Sequence, residues 1–262
     1  MLDNVVIHAD CLSVLKDIPD NYVQLICIDP PYFDILDDDW DNQWNNLEEY
    51  ISWCLEWTTE ARRILKSNGA FYVFQHWKNV AEYTVMAKTV FPYFLNWIAW
   101  ERIKGRASNT NWKSTKEELL YFGKVASPKF HAQKKIRPVI APYRDKEGKP
   151  KGWYVDEEGN RVRWTGVGNV WHYTPPVWSS KEEPPQHPTQ KPLAMTKRII
   201  ESSTDPDDIV LDFFAGSGST LVAARDLGRR FIGVEKDSTH HETCMNRLNL
   251  PIKANSPLLH PQ

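Results

Sequence analysis

Short apolar runs alternate along the chain with stretches whose apolar residues fall at helical spacing. Val23 to Ile28 is apolar except for Gln24 and reads as a strand buried on both faces. It stops at Asp29-Pro30-Pro31-Tyr32, because neither proline can donate to a sheet ladder. Leu2 to His8 predicts a strand ahead of it, and Cys11 to Ile18 a helix ended by Pro19. Leu47 to Lys66 predicts a long helix that Asn68-Gly69 closes. Strands are expected over Ala70–Phe74, Phe94–Trp100 and Leu119–Phe122, with a helix over Val80–Val90.

The pattern then breaks. Residues 125–185 hold prolines, scattered basic residues and the aromatics Trp153, Tyr154, Trp164, Trp171, Tyr173 and Trp178, with no sustained helical period. This reads as an insertion of loops and short strands. A loop-rich stretch of such length is usually functional, and its aromatics argue against disorder. Regular structure returns with a helix at Leu193–Ser202 and a strand at Ile209–Phe214. A tight turn, Ala215-Gly216-Ser217-Gly218-Ser219-Thr220, leads into a helix at Leu221–Leu227. A strand at Arg230–Glu235, a helix at Thr239–Leu248 and a loose tail over 251–262 follow. Strands alternating with helices predict an α/β fold, a doubly wound and mostly parallel sheet. The glycine-rich turn, which usually opens a nucleotide-binding fold, here comes near the end.

Composition adds little until it is mapped. The 262 residues are 41% apolar and 25% charged, as in ordinary globular proteins. No apolar run approaches the ~20 residues that span a bilayer, and the first residues lack the features of a signal peptide. The four cysteines are far apart, so no disulfide framework or zinc site is expected, and a reducing cytoplasmic setting is. The adjacent His240 and His241 read as structural, and no metal is expected. The net charge of −2 hides a strong asymmetry. Residues 1–60 carry fourteen acids and one lysine, whereas 101–163 carry sixteen Lys and Arg against eight acids. A polyanion-facing region is the implication.

Two motifs carry candidate chemistry. Around Gly216 and Gly218, a strand-to-helix turn lets a ligand approach the backbone. Glu235, at the end of the next strand and seventeen residues beyond Gly218, is placed to accept bonds from ribose hydroxyls. No Gly-Lys-Ser/Thr follows, so this is not a Walker loop. The other motif is Asp29-Pro30-Pro31-Tyr32, at a strand's carboxyl end, where function gathers in open α/β sheets.

Together the motifs resemble the DNA amino-methyltransferase family, specific for adenine N6 or cytosine N4. Asp29-Pro30-Pro31-Tyr32 resembles its catalytic motif, and Asp212-Phe213-Phe214-Ala215-Gly216-Ser217-Gly218-Ser219 its cofactor loop. His187-Pro188-Thr189-Gln190-Lys191-Pro192 and Ala9-Asp10-Cys11-Leu12 resemble its cofactor-side segments, and Ser114–Lys124, with Glu117, its strand near the target base. Catalytic motif first and cofactor loop last is the order of the circularly permuted β class. The resemblance implies a class I methyltransferase with a seven-stranded sheet containing one antiparallel strand. A catalytic half would span 1–124, an inserted target-recognition region 125–185 and a cofactor half 186–250.

The resemblance also implies S-adenosyl-L-methionine as cofactor and double-stranded DNA with a flipped target base as partner. It leaves room for a homodimer and a cognate restriction endonuclease, at the nucleoid of the cytoplasm. Asp29 and the Pro30 carbonyl would accept hydrogen bonds from the target amino group, with Pro31 stiffening the loop and Tyr32 stacking on the base. The role of Phe33 is open, since the family often has Asn there. Asp10 and Cys11 would face the cofactor adenine and Glu235, beside Lys236, the ribose. Asp212, Phe214, Ala215, Gly216, Ser217, Gly218, Ser219 and Thr220 would line the methionine end. His187, Thr189, Gln190 and Lys191 would meet the cofactor's polar groups, although a solvated cation is an equally good reading of Lys191. Arg102, Lys104, Arg106, Lys113, Lys134, Lys135 and Arg137 are the expected phosphate contacts. The run Asp37-Asp38-Asp39-Trp40-Asp41 reads as a solvated loop, or alternatively as an acidic lid.

The expected activity is methylation of adenine N6 in DNA, since Asp at the motif's first position leans to adenine and cytosine enzymes more often carry Ser. Alternatives are cytosine N4, an RNA or protein-glutamine substrate, a non-catalytic DNA-binding role on the same scaffold, and a nicotinamide oxidoreductase. The last leaves Asp29-Pro30-Pro31-Tyr32 unexplained.

Overall fold

The structure, a computed structural model, describes residues 3–35, 43–102, 110–176 and 190–250. The acidic run at 37–41, Lys104, Arg106, His187, Thr189 and the tail from 251 lie outside the described residues. In chain order the elements are β1 (Val5–His8), α1 (Cys11–Leu15), β2 (Val23–Ile28), α2 (Leu47–Ile64), β3 (Leu65–Gln75), α3 (Val80–Val90), β4 (Tyr93–Glu101) and β5 (Lys116–Gly123). There follow β6 (Lys134–Pro138), β7 (Tyr154–Val155), β8 (Arg161–Gly166), β9 (Val170–His172), α4 (Leu193–Ser203), β10 (Ile209–Asp212), α5 (Ser219–Asp226), β11 (Arg230–Glu235) and α6 (Ser238–Leu248).

Among the described residues the main sheet has the order β1-β11-β10-β2-β3-β5-β4-β9. Only β5 runs antiparallel to its neighbours, β3 and β4. The remaining neighbours pair in parallel. The seven expected strands are present, and the three-residue β9 adds an eighth at the edge. β2 is buried along its whole length, and its alternate side chains serve opposite faces. Ile26 and Ile28 join Trp57 of α2 and Tyr83 of α3 in the main core. Cys27 points the other way, to Thr220 of α5, and on that face the Tyr72 hydroxyl lies 3.2 Å from Ser203 Oγ of α4.

Two helices end earlier than their periodicity predicts. α1 stops at Leu15. α2 stops at Ile64, and β3 begins at the next residue because Leu65 pairs with Val23 in the sheet. The register shifts before Ala70 pairs with Leu25. Gly69 lies in this irregular stretch, where a Cβ would come within 2.9 Å of the Gln24 carbonyl and 2.7 Å of Leu65. This glycine permits close backbone approach and does not close the helix.

Residues 131–169 form a separate compact unit. Its three-stranded sheet, β6-β8-β7, is antiparallel throughout. Trp153 is buried, donates its indole N–H to the Tyr143 carbonyl at 2.7 Å, and has Arg144 and Arg161 over its ring.

Candidate active site

The chain crosses the sheet in two directions from one point. β2 leads to β3 on one side, and β10 leads to β11 on the other, while β10 and β2 are themselves neighbours. A crevice opens at such a switch, at the strands' carboxyl ends. Asp29 follows β2 there, and Asp212 closes β10.

The loop after β2 is held from several sides. Its prolines fix φ and have no N–H to satisfy. The Tyr50 hydroxyl donates to the Pro31 carbonyl at 3.2 Å, Asn79 Nδ2 to the Phe33 carbonyl at 2.9 Å, and Lys78 Nζ to the Asp34 carbonyl at 3.2 Å. The Phe33 ring turns toward Tyr50, 6.1 Å away. The Tyr32 hydroxyl donates to Asp29 Oδ1 at 2.5 Å, and its ring tilts against His76 at 6.0 Å. Burial, with Lys78 and Arg102 nearby, lowers the His76 pKa to about 4, so this ring is neutral near pH 7.

Behind Asp29 stands a chain of charges. Lys191 Nζ pairs with Asp29 Oδ2 and lies 3.4 Å from Glu117 Oε2. Glu117 Oε1 pairs with Arg102 Nη1 at 2.8 Å. Lys191 is 7% exposed. Burial pulls its pKa down, but the Asp29 and Glu117 carboxylates outweigh this and hold it above the ordinary lysine value. Lys191 is therefore a buried ion-pair partner and not a solvated cation.

The second wall is the turn after β10. The Asp212 carboxylate accepts the Phe214 N–H at 3.1 Å. Burial raises its pKa to about 7, against hydrogen bonds from Thr220 and Phe214 and with the repulsion of Asp29 and Glu235. Gly216 and Gly218 have φ of 51° and 80°, where L side chains are strained. A Cβ on Gly216 would meet nothing within 4 Å, so the backbone there borders open space. One on Gly218 would come 2.4 Å from Cys244 Sγ. The close helix–strand approach often made by a third glycine in such turns is made instead by Gly233 of β11, where a Cβ would come 2.3 Å from Leu221 Cδ1.

Glu235 is oriented by two N–H donors, Gly216 at 2.7 Å and Asp237 at 2.8 Å. Arg247 of α6 donates to the Ser217 carbonyl at 2.7 Å and to its hydroxyl at 2.9 Å, bracing the loop from behind. Asp10 caps α1 through the Leu12 N–H at 3.0 Å, and Lys236 Nζ lies 3.4 Å from its other oxygen. Burial, then Asp10, pushes the Cys11 thiol up to about 12.

The two sequence motifs thus meet. One pocket is lined by Ile28, Asp29, Phe74, Gln190, Lys191, Asp212, Phe214, Ala215, Gly216, Ser217, Ser219 and Thr220. Asp10, Cys11, Glu235 and Lys236 follow or end β1 and β11 at the same edge of the sheet, outside that lining. Arg102 pairs inward with Glu117, whereas Lys113, Lys134, Lys135 and Arg137 are exposed. Tyr50, Asn79 and Arg247 were not expected as site residues. Each acts through packing between elements distant in sequence, which local pattern does not reveal.

The donor set suits a cationic nucleoside ligand. Carboxylates at Asp29, Asp212 and Glu235 face or flank the pocket, glycines leave room at the loop, and Glu235 is pre-set for hydroxyl groups. Fold and site together define a class I methyltransferase. The chain belongs to the N6/N4 DNA methylase family, whose model, described as DNA methylase, matches residues 23–246. It is 30% identical to the type II methyltransferase M.HpaI of Haemophilus parainfluenzae over 95% of this chain and 75% of that one. With the DNA adenine methyltransferase YhdJ of Escherichia coli it shares 31% identity over 94% of this chain and 82% of the relative. The crystal structure of an M1.HpyAVI–SAM complex superposes with a TM-score of 0.64 at 25% identity, covering 94% of this chain and 98% of the other.

Proposed function

We propose that the protein transfers a methyl group from S-adenosylmethionine to the N6 amino group of adenine in double-stranded DNA, with the target base turned out of the duplex. The observation that carries this reading is the shared pocket, in which Asp29 lies beside Asp212 and the glycine loop. The bound cofactor supplies an electrophilic methyl group on a sulfonium centre.

The amino group of a nucleobase is a poor nucleophile because its lone pair is delocalised into the ring. Asp29 and the Pro30 carbonyl accept its N–H bonds and draw the lone pair back to nitrogen. The anchored proline loop holds these acceptors in place, which is the preorganisation such catalysis needs. A base within a duplex is out of reach, so it must be extruded, and Tyr32 is placed to stack on it. Glu235 holds the ribose, Asp10 with Cys11 faces the adenine end, and Asp212 with the 214–218 backbone lines the methionine end. Gln190 and Lys191 complete the polar wall.

The 131–169 unit is assigned to reading DNA sequence. Its exposed strand β6 carries Lys134, Lys135 and Arg137, and phosphate binding of this kind sets the register for base readout.

Adenine is favoured by Asp29 at the first motif position and by the adenine methyltransferase among the relatives. Cytosine N4 uses the same acceptors and is the second reading. The test is incubation with labelled cofactor and unmethylated bacterial DNA, digestion to nucleosides and mass spectrometry, with Asp29→Ala run alongside. N6-methyladenine, absent with the variant, is expected. N4-methylcytosine would reverse the base, and no labelled nucleoside would overturn DNA as substrate.

A further inference from the structure

The target amino group must share Asp29 with two donors that already hold one oxygen each. Tyr32 donates to Oδ1, and Lys191 pairs with Oδ2. An ammonium on Oδ2 also draws charge from the carboxylate, which weakens it as an acceptor. The same ammonium has a second anion within reach. Glu117 Oε2, which makes no closer hydrogen bond among the described residues, already lies 3.4 Å from Lys191 Nζ in a long ion pair. The opposite oxygen of Glu117 is fixed by Arg102 at 2.8 Å, so the carboxylate is held facing the lysine. That contact is long for a charge-assisted bond, so a lysine that moved toward Glu117 would strengthen it.

We propose that Lys191 is a two-position cation, bound to Asp29 in the free enzyme and shifted to Glu117 when the target amino group engages Asp29. Glu117, held by Arg102, is the positioning residue that makes the shift possible. The distances require a movement of about one ångström, within reach of lysine side-chain torsions. The shift keeps the buried lysine paired throughout, which matters because a buried charge that loses its partner is costly. It also frees Oδ2 and restores negative charge to Asp29 when the amine needs it. This inference rests on the proposed amino-group methylation, but its structural half is independent of any DNA activity.

The kinetic test is a double-mutant cycle of Glu117→Gln and Lys191→Met, with kcat, DNA KM and calorimetric cofactor Kd measured for each. Glu117→Gln should lower kcat at least tenfold while moving cofactor Kd and DNA KM less than threefold. In the Lys191→Met background the same change should cost less than twofold, because Glu117 acts only through the lysine. Losses that multiply across the cycle would overturn the proposal. The structural test is a crystal structure of free Asp29→Asn, in which removal of the first anion should shorten the Lys191 Nζ–Glu117 Oε2 contact from 3.4 Å to about 2.8 Å. A lysine that stays at residue 29 would overturn it as well. If the wild-type protein methylated no nucleic acid, the functional reading would fall, while this structure would still decide whether the lysine has its second position.

Discussion

The Tyr50 hydroxyl donates to the carbonyl of Pro31 and so ties α2 to the loop two residues beyond Asp29. Tyr50 is fully buried, and burial followed by Cys54 holds its pKa well above the ordinary value, so it stays a donor. Tyr50→Phe keeps the packing and removes this bond together with the hydroxyl's contacts to Cys54 and Gln75. Stability should fall by about 1 kcal/mol in urea melts. Turnover should drop severalfold with the cofactor Kd unchanged, because in the proposed mechanism the loop bears the acceptors and not the cofactor's cradle. Unchanged turnover would separate the anchor from catalysis.

Gly218 is constrained twice, by its φ of 80° and by Cys244. Gly218→Ala should cost about 1–2 kcal/mol for the left-handed backbone alone, and more for the clash. Adding Cys244→Ala should recover the steric part and leave the backbone part. Thermal melts of the two single variants and the double variant would resolve the two contributions, and full recovery would show that φ is not limiting.

If Asp212 lines the cofactor site as proposed, cofactor binding should depend on pH. With a pKa of about 7, it is increasingly protonated below that value in the free protein. A cationic ligand favours the carboxylate, so the cofactor Kd should weaken as pH falls below about 7, approaching tenfold per pH unit, and level off above it. Asp212→Asn should bind weakly and lose most of this dependence. Stability runs the other way. The raised pKa contributes stability that is fully present below the unfolded value near 3.9 and is lost as pH rises through about 7. Asp212→Asn should therefore melt higher than the wild type at pH 8 when no cofactor is bound.

In the small sheet Arg137 lies directly across from Arg163, and Lys135 across from Thr165. Like charges facing each other across strands are destabilising without an anion between or above them. Replacing Lys134, Lys135 and Arg137 with Ala should weaken DNA binding and reduce the slope of log K against log salt by about 0.9 for each phosphate that is no longer neutralised. An unchanged slope would remove β6 from the DNA surface.

The strands of the main sheet were readable because burial on both faces leaves runs such as Val23–Ile28 with little polar interruption. Asp29 and Asp212 were readable because both lie at ends of such runs, beside prolines or glycines whose backbone roles are specific. The end of α2 was not, since tertiary pairing of Leu65 with Val23 overrode a helical pattern that continued to Lys66. Lys191 could not be assigned to a buried ion pair from its neighbours in sequence, because its partners are residues 29 and 117. Arg102 counted toward a basic stretch, yet its guanidinium turns inward to Glu117. Charge summed along a chain says nothing about which way one side chain points.

The neighbouring positions of β2 and β10 also order events during synthesis. Asp29 is made before β10, which flanks β2 on one side and begins at Ile209, and before β11, which pairs with β1 and begins at Arg230. Until then β2 has an uncovered edge, the kind of surface that chaperones shield and that aggregates when left open. Pairings so distant in sequence also slow folding. A nascent chain therefore carries Asp29-Pro30-Pro31-Tyr32 without the wall that completes the pocket until β10 and β11 have been made and inserted.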